Sequence, residues 1–195
     1  MTIALIRQKP KRLTYLIVHF AKNWWSTTTF RKESQSLKVN LPWSVCLSYK
    51  KCQNYWGIQN GTEKVSSITS KFNILAIGEN WCIDSIINIP VVHWLEKNNE
   101  NIKLKVIDTD SYSKFMPNEK VITPTFIIMN QEYQEIGKWV QYPKRIIDVV
   151  ESKDQVRIIV EKRRYRQGEY IVDTLEEVLD ILINYSNNIY LDRRK

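Results

Sequence analysis

The residues best suited to do chemistry lie in one short stretch, Asn80-Trp81-Cys82-Ile83-Asp84-Ser85. The apolar run before it, Phe72–Ile77, has the length and composition of a buried strand, and the segment after it, Ile83–Asn98, has a helical pattern. A cysteine at a strand-to-helix junction lies beside free backbone N–H groups and the positive end of the helix dipole. Because both favour the nucleophilic thiolate, the stretch predicts a reactive sulfur at Cys82.

The remaining elements alternate between strand and helix. We predict strands at Phe72–Ile77, Ile102–Ile107, Thr125–Met129 and Tyr133–Trp139, the last two forming a hairpin. We predict helices at Ile83–Asn98, within Asp108–Phe115, at about Pro143–Tyr165 and at Thr174–Asn184, the last within a C-terminal element over 173–186. Gln167-Gly168 ends the third of these helices, and Asp173 with Glu176 forms a capping box before the fourth. This order predicts an α/β fold, a mixed sheet flanked by helices.

At this point the sequence resembles the thioredoxin superfamily. Trp81-Cys82-Ile83-Asp84-Ser85, with Pro90 five residues later, is similar to the family's Trp-Cys-x-x-Cys motif and its helix-kinking proline. The resemblance extends to a bacterial branch with a Trp-Cys-Gly-Asp-Cys type motif and covers about residues 60–185. Thr123-Pro124-Thr125-Phe126 is similar to the loop in which a cis proline faces the cysteine. The resemblance implies a thioredoxin fold, with Cys82 as the nucleophile and Trp81, Thr123 and Pro124 positioning the substrate.

Two departures from the family pattern bear on the activity. Ser85 stands where the family has its second cysteine, and a hydroxyl cannot take part in thiol–disulfide exchange, so the site is monothiol. Ala76 stands where the family has a buried aspartate, and Asp84 or Glu79 are the alternative acids. We therefore expect Cys82 to attack protein disulfides or small-thiol mixed disulfides and to be released by an external thiol such as glutathione. We expect Ser85 and Asp84 to modulate the reactivity of Cys82. The alternative is a non-catalytic thioredoxin-fold interaction module.

The positive charge of the chain is concentrated at its N-terminal end. The formal net charge is +8, and residues 1–40 carry +7 of it because they hold eight lysines and arginines against one acid, Glu33. We expect these residues to be a basic, possibly flexible extension, with a signal peptide, a transit peptide or a docking arm as alternatives. A helical region over 41–60 follows, with a turn at Asn60-Gly61. The remaining residues carry +1, so we expect no nucleic acid as a partner.

The number and spacing of the cysteines indicate the redox environment of the protein and whether it binds a metal. The three cysteines, Cys46, Cys52 and Cys82, are too few and too uneven for a disulfide framework, so we expect reduced thiols in the cytoplasm. Cys46 or Cys52 could act as a distant resolving thiol, although an inert thiol on a helical pattern is the simpler interpretation. We expect no metal and no cofactor, because neither zinc-ligand spacing nor a glycine-rich phosphate loop is present. No apolar run is long enough to cross a membrane.

Overall fold

The computed structural model describes residues 59–192, with side chains over 63–187. The helices are α1 (Gln59–Ser66), α2 (Ile83–Asn98), α3 (Thr109–Phe115), α4 (Lys144–Glu151), α5 (Gln155–Arg166) and α6 (Ile171–Asp192), and the strands are β1 (Phe72–Ile77), β2 (Ile102–Ile107), β3 (Thr125–Met129) and β4 (Glu135–Val140). The basic extension over 1–40, most of the helical region predicted at 41–60, and the cysteines Cys46 and Cys52 lie outside the described residues.

The four strands form one mixed sheet in the order β2-β1-β3-β4. β1 runs parallel to β2, with Phe72 opposite Ile102, and antiparallel to β3, with Ile77 opposite Thr125. β3 and β4 form the antiparallel hairpin. The parallel pair is joined through α2, so the start of α2 lies at the end of β1, beside the start of β3. The sheet with its flanking helices confirms the predicted fold class.

Apolar side chains fill both faces of the sheet. On one face α2 and α6 pack over β1 and β3 around a large buried cluster that includes Trp94 and Trp139. On the other face α3 supplies Tyr112 and Met116 to a smaller cluster. All six residues of β1 are buried, which explains why its sequence is a continuous apolar run with no alternation.

Helix α1 precedes the first strand, and side-chain amides of the α2–β2 loop donate hydrogen bonds to the end of α1 and the residues after it. Asn99 Nδ2 donates to the carbonyl oxygens of Val65 (2.7 Å) and Ile68 (3.0 Å), and Asn101 Nδ2 donates to Ile68 at 3.1 Å. Val65 and Ile68 themselves lie in the large cluster. Lys64 adds an ion pair with Glu176 on α6. The turn predicted at Asn60-Gly61 is wrong, because both residues lie within α1.

The helix predicted at Pro143–Tyr165 is two helices. Lys153 has a φ of 59°, which ends α4, and the Asp154 carboxylate then accepts a hydrogen bond from Arg157 N–H (3.1 Å) as the N-cap of α5. α5 ends at Gln167-Gly168 as predicted.

The last helix begins earlier than predicted. α6 starts at Ile171, so Asp173 lies in its first turn and is not its N-cap. The buried side chains of Tyr170 and Ile171 hold this start in the core. The fourth strand, in contrast, begins two residues later than predicted, since Tyr133 has a φ of 61° and belongs to the turn.

Candidate functional site

Cys82 is the N-cap residue of α2. Its backbone is extended (φ −81°, ψ 116°), and its carbonyl accepts the first helical hydrogen bond, from Ile86 N–H at 3.0 Å. The cysteine is partly exposed and not in a disulfide. Its sulfur therefore lies at the N-terminal end of a 16-residue helix, the position that favours a thiolate.

The loop before β3 faces this sulfur. Thr123 Oγ1 lies 3.5 Å from Cys82 Sγ, and the sulfur lies 3.7 Å from the Thr123 carbonyl oxygen. The Thr123–Pro124 peptide bond is cis. Gln141 N–H donates to the Pro124 carbonyl at 2.8 Å and so ties the loop to the end of β4. The structure thus brings Cys82, Thr123 and Pro124 together from positions about forty residues apart in the chain.

Ser85 lies behind the cysteine, inside the protein. Its side chain is only 2% exposed, and its hydroxyl oxygen accepts a hydrogen bond from Glu79 N–H at 3.2 Å. Gly78 makes this packing possible, because a Cβ at that residue would lie 2.9 Å from Ser85 Oγ and 2.6 Å from Ile89 Cδ1. The Ser85 hydroxyl therefore helps to fix the turn between β1 and α2.

Asp84 is also buried, at 8% exposure, and faces two tyrosines from distant parts of the chain. Burial, and next to it the negative charge of Asp84, raises the pKa of Tyr142 to about 12, while the charge of Arg166 acts in the opposite direction. Burial and the same carboxylate raise the pKa of Tyr165 as well. The two rings meet edge to face, with centroids 5.4 Å apart. Both hydroxyls therefore remain protonated near neutral pH and can donate to the Asp84 carboxylate.

Asn88, one turn further along α2, completes this buried polar group. It is fully buried, and its Nδ2 donates to the Asp84 carbonyl (2.9 Å) and to the Tyr165 hydroxyl (2.6 Å). Its Oδ1 accepts from Thr174 Oγ1 on α6 at 2.9 Å. The first two turns of α2 are thereby joined to α5 and α6 by hydrogen bonds.

Large apolar side chains surround the thiol on the outside. Trp81 is 76% exposed, and Ile83 and Ile122 are each about half exposed. Trp81 and Ile83 flank Cys82 in the chain, and Ile122 precedes the facing Thr123. An approaching molecule would therefore meet an apolar rim around a partly exposed sulfur.

The two acids named as alternatives to the family's buried aspartate, Glu79 and Asp84, both interact with other side chains in the structure. Ala76 is fully buried in β1, at the position where the resemblance implied an aspartate. Glu79 accepts hydrogen bonds from the N–H and the hydroxyl of Thr109 at the start of α3. Asp84 alone of these carboxylates lies among the tyrosines behind the site. Among residues 59–192, no group of three or more His, Cys, Asp or Glu side chains could hold a metal ion.

Sequence reasoning found the thiol and its facing loop and missed the buried support. Tyr142 and Asn88 lie outside any motif, and the hydrogen-bond partners of Asn88, which include Tyr165, are 4 to 86 residues away in the chain. The available signal was Asn88 itself, a polar residue next to the apolar Ile87, Val91 and Val92 of α2. Gly78, just after a fully buried strand, was a second such signal.

The sheet, the helix that begins at Cys82 and the facing Thr123-Pro124 loop define a thioredoxin-fold protein, and Cys82 is the one cysteine among the described residues. The chain belongs to the thioredoxin family, since the family model described as thioredoxin matches residues 49–157, more than half of the sequence. No curated protein matches the chain.

Solved structures share the fold. A protein of unknown function from Pseudomonas aeruginosa is 22% identical with a TM-score of 0.58, over 73% of this chain and 83% of that one. An HIV epitope-scaffold crystal structure is 21% identical with a TM-score of 0.59, over 72% of this chain and 83% of the scaffold. At these identities the likeness concerns the fold alone. Among the described residues, no helix is long and apolar enough to cross a membrane.

Proposed function

We propose that this chain is a monothiol thiol–disulfide oxidoreductase of the thioredoxin family, with Cys82 as its nucleophile. One observation carries the proposal: a partly exposed thiol at the N-terminal end of α2, with the Thr123 hydroxyl 3.5 Å from its sulfur. Helix N–H groups and a hydroxyl stabilise a thiolate, and a thiolate is the attacking species in exchange. The chain would then be a variant of the branch with a Trp-Cys-Gly-Asp-Cys motif.

The reaction follows from the single sulfur. The Cys82 thiolate attacks one sulfur of a disulfide, the S–S bond breaks, and the second sulfur leaves as a thiolate that takes a proton from water. The first sulfur stays on Cys82 as a mixed disulfide. One external thiolate attacks Cys82 and releases the substrate sulfur, and a second frees Cys82. Two external thiols are oxidised to one disulfide for each substrate disulfide reduced. Ser85 has no part in exchange and keeps the β1–α2 turn in place.

The substrate backbone would pair with the loop before β3. An extended peptide lying along Thr123 would form hydrogen bonds of the kind that a strand makes at a sheet edge. Its sulfur would then lie between Thr123 and Cys82, in reach of attack. The apolar rim of Trp81, Ile83 and Ile122 supplies contact area around that position. A supply of external thiols implies a reducing compartment, and we place the reaction in the cytoplasm.

Alkylation of Cys82 tests the proposal. Because the thiolate is the species that is alkylated, we expect Cys82 in the folded protein to react faster at pH 7 than the same residue in the chain unfolded in urea. Both rates are measured with iodoacetamide by mass spectrometry of the Cys82 peptide. A rate in the folded protein equal to or below that of the unfolded chain would refute an activated thiol.

A second candidate function is a non-catalytic interaction module. The 76% exposure of Trp81 favours it, because such a side chain suits a partner surface whether or not the thiol reacts. Reduction of a glutathione mixed disulfide separates the two functions. We expect the wild type to be active and Cys82→Ser to be inactive. Equal rates would leave Cys82 without a catalytic role and favour the module.

A further inference from the structure

One side of α5 combines cations with exposed apolar side chains. Successive helical residues are about 100° apart around the axis. Measured from the buried Tyr165, the positions from about 60° to 180° hold Gln155 and five further residues, three cations and two aliphatic residues, namely Lys162, Arg166, Ile159, Arg163 and Val156. We call these five residues the α5 flank. Val156 and Ile159 are 73% and 69% exposed.

The acids of this region do not lie on the flank. Glu161 is the one acid within α5 and lies on the opposite side of Tyr165, where it pairs with Arg164. Glu169, beyond the helix, pairs with Arg164 as well. Among the residues whose side chains the structure describes, 63–187, both ion pairs of α5 use Arg164 and neither uses a cation of the flank.

The flank is continuous with the site of Cys82. Lys162 Nζ lies 5.2 Å above the ring of Tyr142, a partly exposed residue whose hydroxyl is close enough to Cys82 for the charge of that cysteine to act on it. Arg166 also lies close enough to Tyr142 for its charge to act on that hydroxyl. From Lys162 and Arg166 the flank leads away along the helix to Ile159 and Val156. A molecule bound at Cys82 could therefore extend directly onto it.

We propose that the α5 flank binds an acidic segment of a protein substrate that also carries apolar side chains and presents its disulfide to Cys82. This inference rests on the proposed function and names its substrate class. The segment's carboxylates lie against Lys162 and Arg166, and an aliphatic side chain of the segment packs against Ile159. The flank is about 15 Å long, from the ten rises of 1.5 Å between Val156 and Arg166, which an extended segment of about five residues would cover.

A protein segment fits this surface better than a small thiol does. A tripeptide thiol would reach the charges nearest Tyr142 and leave Ile159 and Val156 uncovered. A flat membrane would contact the exposed aliphatic residues and gain nothing from their continuity with a redox cysteine. The combination of apolar rim, cationic flank and thiol therefore selects an acidic, partly apolar peptide.

Three synthetic peptides test the inference, each with one cysteine activated as a mixed disulfide with thionitrobenzoate. Their sequences are Leu-Asp-Glu-Cys-Glu-Asp-Leu, Leu-Lys-Lys-Cys-Lys-Lys-Leu and Ser-Asp-Glu-Cys-Glu-Asp-Ser. Attack by the Cys82 thiolate joins its sulfur to the peptide sulfur and releases coloured thionitrobenzoate. The rate at Cys82 is the wild-type rate minus that of Cys82→Ser. Symmetrical peptides remove any dependence on chain direction.

We expect the acidic leucine peptide to react at least about fivefold faster than the basic one, with the difference reduced in 0.5 M salt. Arg166→Gln should slow the acidic peptide about two- to fivefold, the effect of one exposed ion pair. Ile159→Ser should remove the advantage of leucine over serine ends. Arg157→Gln and Val160→Ser, which lie outside the flank on the same helix, are matched controls and should leave the rates within about 1.5-fold of wild type.

Each other outcome has a distinct meaning. If Cys82 reacts with all three peptides equally, the inference is wrong and the proposed function stands. If Cys82 reacts with none, the proposed function fails. Glutathione activated in the same way, reacting as fast as the acidic leucine peptide and slowed equally by Arg166→Gln, would overturn the protein segment in favour of a small anionic thiol. Binding to phosphatidylserine vesicles that Ile159→Ser abolishes would overturn it in favour of a membrane surface.

Discussion

Replacement of Asn88 by alanine should destabilise the protein more than any comparable change at the surface of α2. Asn88 is fully buried, and its side chain bonds to Tyr165 on α5 and Thr174 on α6. Alanine would leave both hydroxyls without these partners in a closed interior. A buried polar group that loses its partner costs about 1–3 kcal/mol, so two of them cost about 2–6 kcal/mol. We expect the free energy of unfolding to fall by about 3 kcal/mol, a value in the lower half of that range.

Asn98 provides the matched control. It is an asparagine of the same helix, and its Nδ2 donates to the carbonyl four residues earlier, that of Trp94, at 2.7 Å, just as Asn88 donates to Asp84. Its side chain is exposed. Asn98→Ala therefore removes the same local bond without the buried cross-links, and we expect a change of no more than about 0.5 kcal/mol.

Urea unfolding measures both variants. With a typical m-value of about 1–3 kcal/mol per molar urea, a loss of 3 kcal/mol lowers the midpoint by about 1–3 M. Thr174→Val, alone and combined with Asn88→Ala, closes a double-mutant cycle and keeps the test informative if Asn88→Ala fails to fold. We expect a coupling of at least about 0.5 kcal/mol. A loss below 1 kcal/mol for Asn88→Ala, or additive effects in the cycle, would refute the argument that this residue joins the helices.

Three further predictions concern the same region. Gly78→Ala should cost about 1–3 kcal/mol, because its methyl group would press on Ser85 and Ile89; a change below 0.5 kcal/mol in urea unfolding would contradict this. Between pH 10 and 11 the free energy of unfolding should fall, because an unfolded tyrosine ionises near pH 10 while the fold keeps the pKa of Tyr165 higher. Tyr165→Phe should reduce the slope of that free energy against pH by up to about 1.4 kcal/mol per pH unit. An unchanged slope would contradict this prediction. Ser85→Cys should give insulin-reducing activity with dithiothreitol that the wild type lacks, because an internal thiol can then release substrates from Cys82; no gain would mean that the packed position of residue 85 prevents attack.

The parts of the fold predicted correctly are those in which local pattern and tertiary structure agree. β1, α2, β2 and β3 have the predicted bounds because each is a strong apolar pattern ended by polar or turn residues. The break between α4 and α5 was missed, since the apolar periodicity continues across it. Its signal was Asp154, a good N-cap residue three positions before Arg157. The start of α6 was misplaced because Asp173 and Glu176 imitate a capping box, while the burial of Ile171 decides where the helix begins.

In the candidate site, too, only the residues that lie within local sequence motifs were predictable. Cys82 and Thr123 were identifiable because the residues next to them in sequence form motifs. The surroundings of Asp84 were not, since Tyr142 and Tyr165 come from elements whose packing no local pattern specifies. The sequence predicted only that Asp84 modulates Cys82, and it did not predict the environment of this carboxylate. The structure buries it at 8% exposure among hydroxyls, which gives it a structural environment that composition and spacing do not reveal.

The amide bonds from Asn99 and Asn101 to α1 have a consequence for shortened forms of the protein. The carbonyls of Val65 and Ile68 are the acceptors, so the α2–β2 loop is held by chain that precedes the first strand. A version beginning at Phe72 would keep every strand and the cysteine but would expose the part of the core that Val65 and Ile68 cover. We therefore expect the smallest autonomous folding unit to include α1, and the N-terminal limit of the thioredoxin-fold domain to lie at least one helix before the sheet begins.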